Sequence, residues 1–274
     1  MLISVIISTY NKPEWLEKVL HGYMCQKDQD FEIVIADDGS GAATQLLIQR
    51  FKSENPARQF QHIWHEDDGF RKSAILNKAI QATRGGYLVF TDGDCIPRVD
   101  FISTHRRLAR PGCYLSGGYF KLPMSTSEVI ASEDISAGRA FQLPWLWQNG
   151  LKRSAKSFRL AAGPKTRALL DSIIPTKSTW NGNNSSAFKE DILRVNGHDE
   201  RMSYGGQDVE MGYRLVHAGL RSIRVRYRAL VLHLEHSRGY AHKVSIAKNL
   251  KIRQETLVER ATWTDYGIVK RIEA

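Results

Sequence analysis

Leu88-Val89-Phe90-Thr91-Asp92-Gly93-Asp94-Cys95-Ile96-Pro97 is the stretch on which the fold turns. Four apolar or β-branched residues in a row suit a strand of a parallel sheet, which is covered on both faces. Two carboxylates follow, separated by one glycine, and Pro97 is expected to stop the strand. In open α/β sheets, ligands bind in the crevice beyond the carboxyl ends of the strands. Two acidic oxygens there suit a hard divalent cation carrying phosphates. The same tripeptide reads equally well as a surface turn, because Asp-Gly is a common turn dipeptide. The flanking sequence has to decide.

Upstream, strands and helices alternate. Ile3-Ser4-Val5-Ile6-Ile7-Ser8-Thr9-Tyr10 is a β-branched run that predicts the first strand. Asn11 is a candidate helix cap with Pro13 in the first turn, and Trp15, Leu16, Val19 and Leu20 follow at helical spacing. Phe31 to Ala36 predicts a second strand, closed by Asp37-Asp38-Gly39-Ser40. Phe60 to Trp64 predicts a third, ending in His65-Glu66-Asp67-Asp68-Gly69-Phe70-Arg71, and Ser73 to Ala82 a helix. Polar clusters after successive strands are the pattern of a doubly wound, largely parallel sheet. Of the first pair of acids, Asp37 is the candidate to bind a base or ribose, and Asp38 a turn or cap residue. Asp67 and Asp68 carry the same two readings, and Arg71 and Lys78 could offset phosphate charge or else be solvated surface residues. Neither a Gly-x-Gly-x-x-Gly nor a Gly-Lys-Ser/Thr phosphate loop follows the first strand, which disfavours dinucleotide oxidoreductases and P-loop ATPases.

The 274 residues suffice for one large α/β domain, and 42% hydrophobic with 25% charged residues is the composition of a soluble globular chain. No apolar run approaches the ~18 residues of a membrane span. The start lacks the basic flank of a signal peptide, and three cysteines fit neither a disulfide framework nor a zinc spacing, so a cytoplasmic location is expected. A net charge of +10 favours an anionic partner: nucleic acid, lipid headgroups or a phosphate-bearing substrate.

Downstream, Cys113 to Phe120 predicts a strand broken by glycines. Between about 124 and 178 the order weakens, and Leu143-Pro144-Trp145-Leu146-Trp147 precedes Lys152, Arg153, Lys156, Arg159, Lys165 and Arg167. This is either a membrane-surface or acceptor-binding segment, or a helical cover with a solvated basic face. Asn184 is a candidate to line a site. Gly205-Gly206 ahead of a helix would let a ligand approach its positive N-terminus, with Gln207 and Asp208 in the first turn. Arg221 to Leu232 predicts one strand with an arginine face. His233 and His236 form a possible metal pair, and residues 241–260 predict a basic amphipathic helix with Val244, Ala247, Leu250, Ile252 and Leu257 inward.

Taken as an ordered set, Val5-Ile6-Ile7-Ser8-Thr9-Tyr10-Asn11, Ile33 to Ser40, Asp67-Asp68-Gly69-Phe70, Asn77-Lys78, Asp92-Gly93-Asp94, Gly205-Gly206-Gln207-Asp208 and His233 to Arg238 resemble the inverting family 2 glycosyltransferases of GT-A fold. More narrowly, the set is similar to bacterial chondroitin-polymerase domains and the β-1,4-galactosyltransferases. The resemblance implies a single domain over 1–274: a nucleotide-binding half at 1–97, an acceptor and metal half at 98–240 with the insertion at about 124–178, and a helical appendage at 241–274. It implies a Rossmann-like, mostly parallel sheet flanked by helices. It places Thr9, Tyr10, Asp37, Asp68, Arg71, Lys78, Asp92 and Gly93 around the nucleotide. Asp94 and His236 become metal ligands, with Asp92 and His233 as further ones. Gly205, Gly206, Gln207 and Asn184 fall to the acceptor, and Asp208 becomes the general base. The implied cofactors are a divalent ion, Mn2+ ahead of Mg2+, and a nucleotide-sugar donor of UDP type. The implied partner is a glycan or glycolipid acceptor in surface polysaccharide or lipopolysaccharide synthesis, with peripheral contact to the inner membrane face and no nucleic acid. Two departures stand out: the branch carries Glu where this chain has Gln207, and Arg where it has Leu76. The competing classes are a pyrophosphorylase-like enzyme, a silent glycan-binding protein, and a nucleic-acid or membrane-surface module.

Overall fold

In the computed structural model, residues 1–175, 178–237 and 243–270 are described, without the side chains of residues 243 and 244. Arg238 of the distal histidine motif lies outside them, as does the Val244 side chain. Strand β1 (Ile3–Thr9) is buried over its full length and lies between β2 (Phe31–Asp37) and β4 (Tyr87–Asp92), parallel to both. β3 (Phe60–Trp64) extends the parallel set beyond β2. Both faces of β1 are covered, with Val5 and Ile7 in one apolar cluster and Ile6 in another, which is why the strands read as continuous apolar runs. Helices α1 (Pro13–Met24) and α2 (Ala42–Glu54) supply Leu16, Val19, Leu20, Leu47 and Phe51 to the first cluster. Helix α3 (Lys72–Ala82) supplies Ile75, Leu76, Ala79 and Ile80 to the second.

The central sheet has seven strands in the order β3-β2-β1-β4-β8-β6-β9, with β6 at Cys113–Ser116, β8 at Ser185–Phe188 and β9 at Arg221–Arg224. β8 runs antiparallel to both neighbours, so the expected α/β fold with a mostly parallel sheet is what forms. A smaller sheet of β5 (Cys95–Pro97), β10 (Leu230–His233) and β7 (Gly118–Lys121) lies beyond it.

That second sheet corrects two expectations. The opening stretch is two strands, since β4 ends at Asp92 and after Gly93-Asp94 the chain resumes as β5, antiparallel to β10, and it is β5 that Pro97 closes. Residues 221–232 are two strands in different sheets, since the chain turns between them with the Ala229 N–H on the Val225 carbonyl. Of its arginines, Arg221 is exposed, and two others are tied to the insertion. Arg224 donates to Ser172 and Ile174 carbonyls and Arg228 to Asp171, so they hold the insertion. Asn11 is not a helix cap either. It sits at φ +44 and its Oδ1 accepts the Gly41 N–H at the start of α2.

Helices α4 (Phe101–Leu108), α5 (Met124–Val129), α6 (Ser132–Ser136), α7 (Leu143–Gln148), α8 (Phe158–Ala161) and α9 (Pro164–Ile173) follow. Leu143, Leu146 and Leu160 are buried in the first apolar cluster, and Trp145 and Trp147 lie against it, while Lys152, Arg153, Lys156 and Lys165 are exposed. The insertion is therefore a cover over the core with a solvated basic face. Helices α10 (Lys189–Arg194), α11 (Gln207–His217) and α12 (Lys243–Val258) complete the chain. In α12 the expected apolar stripe is buried at Ile252 but not at Ala247, Leu250 or Leu257. Leu250 and Leu257 are exposed, whereas Asn249, Ile252 and Thr256 are buried. The face is largely polar because it meets a loop backbone and Glu210 of α11 rather than the core.

A buried polar chain locks the sheets together. The Tyr87 hydroxyl donates to Ser186 Oγ at 2.8 Å, Ser186 donates to His105 Nδ1 at 2.7 Å, and His105 Nε2 donates to Asn184 Oδ1 at 3.2 Å. Burial lowers the His105 pKa from 6.5 to about 4, against a smaller upward pull from Asn184. Burial, then Arg214 and Lys72, lowers that of His198 to about 3. Unfolded, both imidazoles take up protons below about pH 6.5, so the unfolded state binds more protons there and stability falls with pH. The stability is fully present above pH 6.5 and is lost as pH drops toward 4, at about 1.4 kcal/mol per pH unit for each histidine. Urea midpoints at pH 7 and pH 5 should differ clearly, and equal midpoints would contradict this account.

Candidate active site

The parallel set delivers the C-terminal ends of β1, β2 and β4 to one edge, and a cleft of about 820 Å³ opens there. That is within the size range of small-molecule sites. Ser8, Thr9 and Tyr10 from β1 and the residue after it, and Asp92, Gly93 and Asp94 from the end of β4, line it. Their register explains the grouping: Ser8 pairs with Asp92, and the Ser8 hydroxyl donates to Asp92 Oδ1 at 2.7 Å. The Gly93 N–H donates to the Ser8 carbonyl at 2.7 Å, and a Cβ at Gly93 would meet Ser8 and Thr9 at about 3.1 Å. Glycine thus lets the two strand ends close tightly and turns Asp94 toward the second sheet.

There, His233 ends β10 and His236 follows it. Asp94 Oδ2 is 3.0 Å from His236 Nε2 and 3.7 Å from His233 Nε2, and the two rings stack with centroids 5.5 Å apart. Leu234 N donates to the Asp94 carbonyl, and Glu235 N to Ser127 Oγ at 2.9 Å, which fixes the histidine-bearing segment on both sides. Burial works against the Asp94 charge, but His236, His233 and the Cys95 thiol together hold its pKa below the ordinary value. Burial, Asp94 and Asp92 push the Cys95 thiol well up, so it stays protonated and donates to Asp94. Ligand atoms of Asp94, Cys95 and His233 lie within 4.8 Å of one another, and buried His233 Nδ1 has no partner among the described residues. One carboxylate and two imidazoles are a donor set that fits a divalent transition ion.

Across the cleft stands Asp208, the second residue of α11. The residue is half-buried, its Oδ1 is buried with no hydrogen-bond partner among the described residues, and the Gly182 backbone N–H supports the group. A Cβ at Gly182 would lie 2.8 Å from Oδ1. Burial raises the Asp208 pKa, Lys72 opposes this, and Asp92 adds to it. Lys72 Nζ lies 2.6 Å from Asp92 Oδ1 and lines the cleft. Burial works against its charge, but Asp92, Asp208 and Asp94 raise its pKa above the ordinary lysine value.

Several sequence candidates sit elsewhere. Asp37 is buried and does not line the cleft. Its oxygens accept from the Ser40 N–H at 2.8 Å and His62 Nε2 at 2.9 Å, so it is the turn residue. Asp38, read from sequence as the turn residue, lines the cleft, steadied by His65 Nε2 at 2.7 Å and the Arg71 N–H at 3.0 Å. Asp68 is exposed and pairs with Arg71, whose guanidinium also donates to the Glu66 carbonyl. Lys78 meets His65, outside the cleft. The lysines that line the cleft are Lys12 and Lys72 instead. Asn184 is fully buried, and its Nδ2 donates to the Gly118 and Ala229 carbonyls at 2.8 and 2.7 Å. It knits the two sheets, and the neighbouring Asn183 reaches the cleft instead. Gly205 and Gly206 are not open to a ligand on their Cα side, because Ile246 and Arg253 of α12 occupy that space. Gln207 does line the cleft, with Oε1 on the Gly205 N–H. Sequence reading also missed Trp15, Phe70, Tyr119 and Tyr204 in the wall. Phe70 was legible, since it immediately precedes the Arg-Lys pair that begins α3.

Residues 4–117, which carry β1 to β4 and the Asp92-Gly93-Asp94 edge, match the family model Glycosyl transferase family 2. These residues are thus similar to the family 2 glycosyltransferases. Validoxylamine A glucosyltransferase of Streptomyces hygroscopicus subsp. jinggangensis is 25% identical over 258 residues, spanning 89% of this chain and 58% of its own length. Chondroitin synthase of Escherichia coli is 24% identical over 238 residues, spanning 79% of this chain and 32% of its own. The chain thus spans little more than half, or less, of these relatives. Among solved structures, the mannosyltransferase PcManGT from Pyrobaculum calidifontis in complex with GDP-Man and Mn2+ superposes with a TM-score of 0.60 at 19% identity, covering 94% of this chain and 64% of that one. GalNAc-T7 with UDP, GalNAc and Mn2+ gives 0.61 at 14% identity, covering 93% and 48%. The matched residues and those C-terminal to them therefore share the GT-A fold. No helix among the described residues is long and apolar enough to cross a membrane.

Proposed function

We propose that the protein transfers a sugar from a nucleoside diphosphate donor to a hydroxyl of a glycan or glycolipid acceptor, with inversion at the anomeric carbon. The observation that carries this is one cleft holding the Asp94–His236–His233 cluster on one side and, on the other, an Asp208 oxygen without a partner among the described residues. In this reading Asp208 takes the acceptor proton as the acceptor oxygen attacks from the face opposite the diphosphate. Lys72 lies between the two groups and balances phosphate charge, where sequence had pointed to Arg71 and Lys78. Asp94, His236 and His233 would hold a divalent ion, which supplies Lewis-acid stabilisation of the leaving diphosphate when bound. Thr9, Tyr10 and Asp38 form the wall for the nucleoside. The relatives and structural neighbours, named for glycosyl transfer and in two cases bound to a nucleotide or nucleotide sugar with Mn2+, support the reading; they also support a surface-glycan acceptor and a UDP-type or other nucleotide donor. A panel of UDP-, GDP- and dTDP-sugars, scored by nucleotide release with Mn2+ or chelator, tests it. One donor should release nucleotide only with acceptor and metal present, and failure of every donor to shift the melting temperature would refute it.

A further inference from the structure

Asn249 is fully buried on α12, on the same face as Ile252 and Thr256. Its Nδ2 lies 2.9, 3.1 and 3.0 Å from the carbonyl oxygens of Ser203, Tyr204 and Gly205. Three consecutive carbonyls aimed at one point repel each other, and only a donor placed between them holds such a turn. The turn leads directly into α11 through Gly205 at φ +112 and Gly206 at φ +88, conformations that place no side-chain restraint on the loop. Restraint comes instead from α12: Ile246 lies against Gly205 and Arg253 against Gly206, while Asn249 gathers the carbonyls. Asp208 is two residues beyond Gly206, and Ser203 and Tyr204 line the same cleft.

We propose that Asn249 is a positioning residue for the transfer reaction: its amide fixes the 203–205 turn, and thereby the direction in which the Asp208 carboxylate points. This rests on the reading of Asp208 as base. On the donor side, the Ser8–Asp92 pair and the Asp94–His236–His233 cluster are held by β1, β4 and β10 rather than by the turn, so loss of Asn249 affects turnover and leaves donor affinity alone. A misplacement of about 1 Å costs roughly 100-fold in rate, and Asn249→Asp, which turns a donor into an acceptor facing three carbonyls, should reach roughly that loss. Asn249→Ala should lose activity in the same direction without adding charge. The control is Thr256→Val on the same buried face, which removes a 3.0 Å bond to Glu210 but touches neither the turn nor the cleft.

The experiment measures kcat with saturating donor and acceptor, donor Kd by calorimetry, and melting temperature for the three variants and for Asp208→Asn. The expected result is a large fall in kcat for both Asn249 variants, donor Kd within about twofold of wild type, and kcat retained in Thr256→Val at a comparable melting temperature. Wild-type kcat in both Asn249 variants, or equal loss in Thr256→Val, overturns the proposal by reducing it to general destabilisation. If Asp208→Asn turns over at the wild-type rate, the base assignment itself fails. If that variant is inactive while the Asn249 variants are active, only the positioning role fails.

Discussion

Asp208→Asn is expected to lower kcat by about 10²- to 10⁴-fold while donor affinity stays near that of the wild-type protein. The substitution keeps shape and removes the proton acceptor. Little else should move, because Oδ1 makes no hydrogen bond among the described residues and the backbone of Gly182 supports the group from behind. Lys72 keeps Asp92 as its direct partner, so the diphosphate side of the cleft retains its charge. The pH profile carries the same signature. Burial raises the Asp208 pKa, with Lys72 opposing and Asp92 reinforcing, so the base is ionised only above the ordinary aspartate range. The acid limb of kcat in the wild-type protein therefore lies at higher pH than for a solvated aspartate, and the residual rate of the Asn variant should lack it. Steady-state rates from pH 4 to 8 decide the matter, and an unchanged acid limb in the variant would remove Asp208 from the proton transfer.

Asp94→Asn should abolish the metal dependence of nucleotide binding. In the wild-type protein, nucleotide Kd measured with Mn2+ is expected to fall well below that measured with chelator. In the variant the two should converge. Loss of a group that merely supports a ligand costs 10- to 100-fold in metal affinity, so loss of the shared carboxylate should cost at least about that much. Asp94 is the hub because Oδ2 faces both imidazoles, at 3.0 and 3.7 Å, while its own backbone carbonyl takes the Leu234 N–H and is unaffected by the substitution. Calorimetric titration of Mn2+ alone, without nucleotide, checks the site independently of catalysis, and undiminished Mn2+ binding would shift the metal elsewhere.

The nucleotide-side fold was legible because burial on both faces forces β1, β2 and β4 to be apolar throughout, and a carboxylate directly after such a run has few bland explanations in combination with others like it. What escaped were features set by partners far away in sequence. Asp37 and Asp38 are adjacent and chemically identical, and only the positions of His62 and His65 on β3 and after it decide which one turns inward. Lys72 outranks Arg71 and Lys78 because α3 begins at residue 72 and its first turn meets the strand ends, a matter of helix phase. Asn184 looked like a site residue because a polar run after a tryptophan resembles a loop, whereas it bridges two sheets. Residues 221–232 alternate as one strand would, yet a turn sends the halves into different sheets. Helix α12 misled for a related reason: its buried face meets backbone carbonyls and a buried glutamate, so Asn249 and Thr256 join Ile252 there while Leu250 and Leu257 face outward.

Gly182 contributes no functional group, yet the space its missing methyl leaves is the seat of the Asp208 carboxylate. A mutational scan would therefore score it like a member of the reacting set, and a survey that looked only for acids, bases and ligands would overlook it. For anyone re-engineering the acceptor side of this protein, the floor under the base is a position to leave untouched, and freedom to vary lies in the exposed basic rim of the insertion instead.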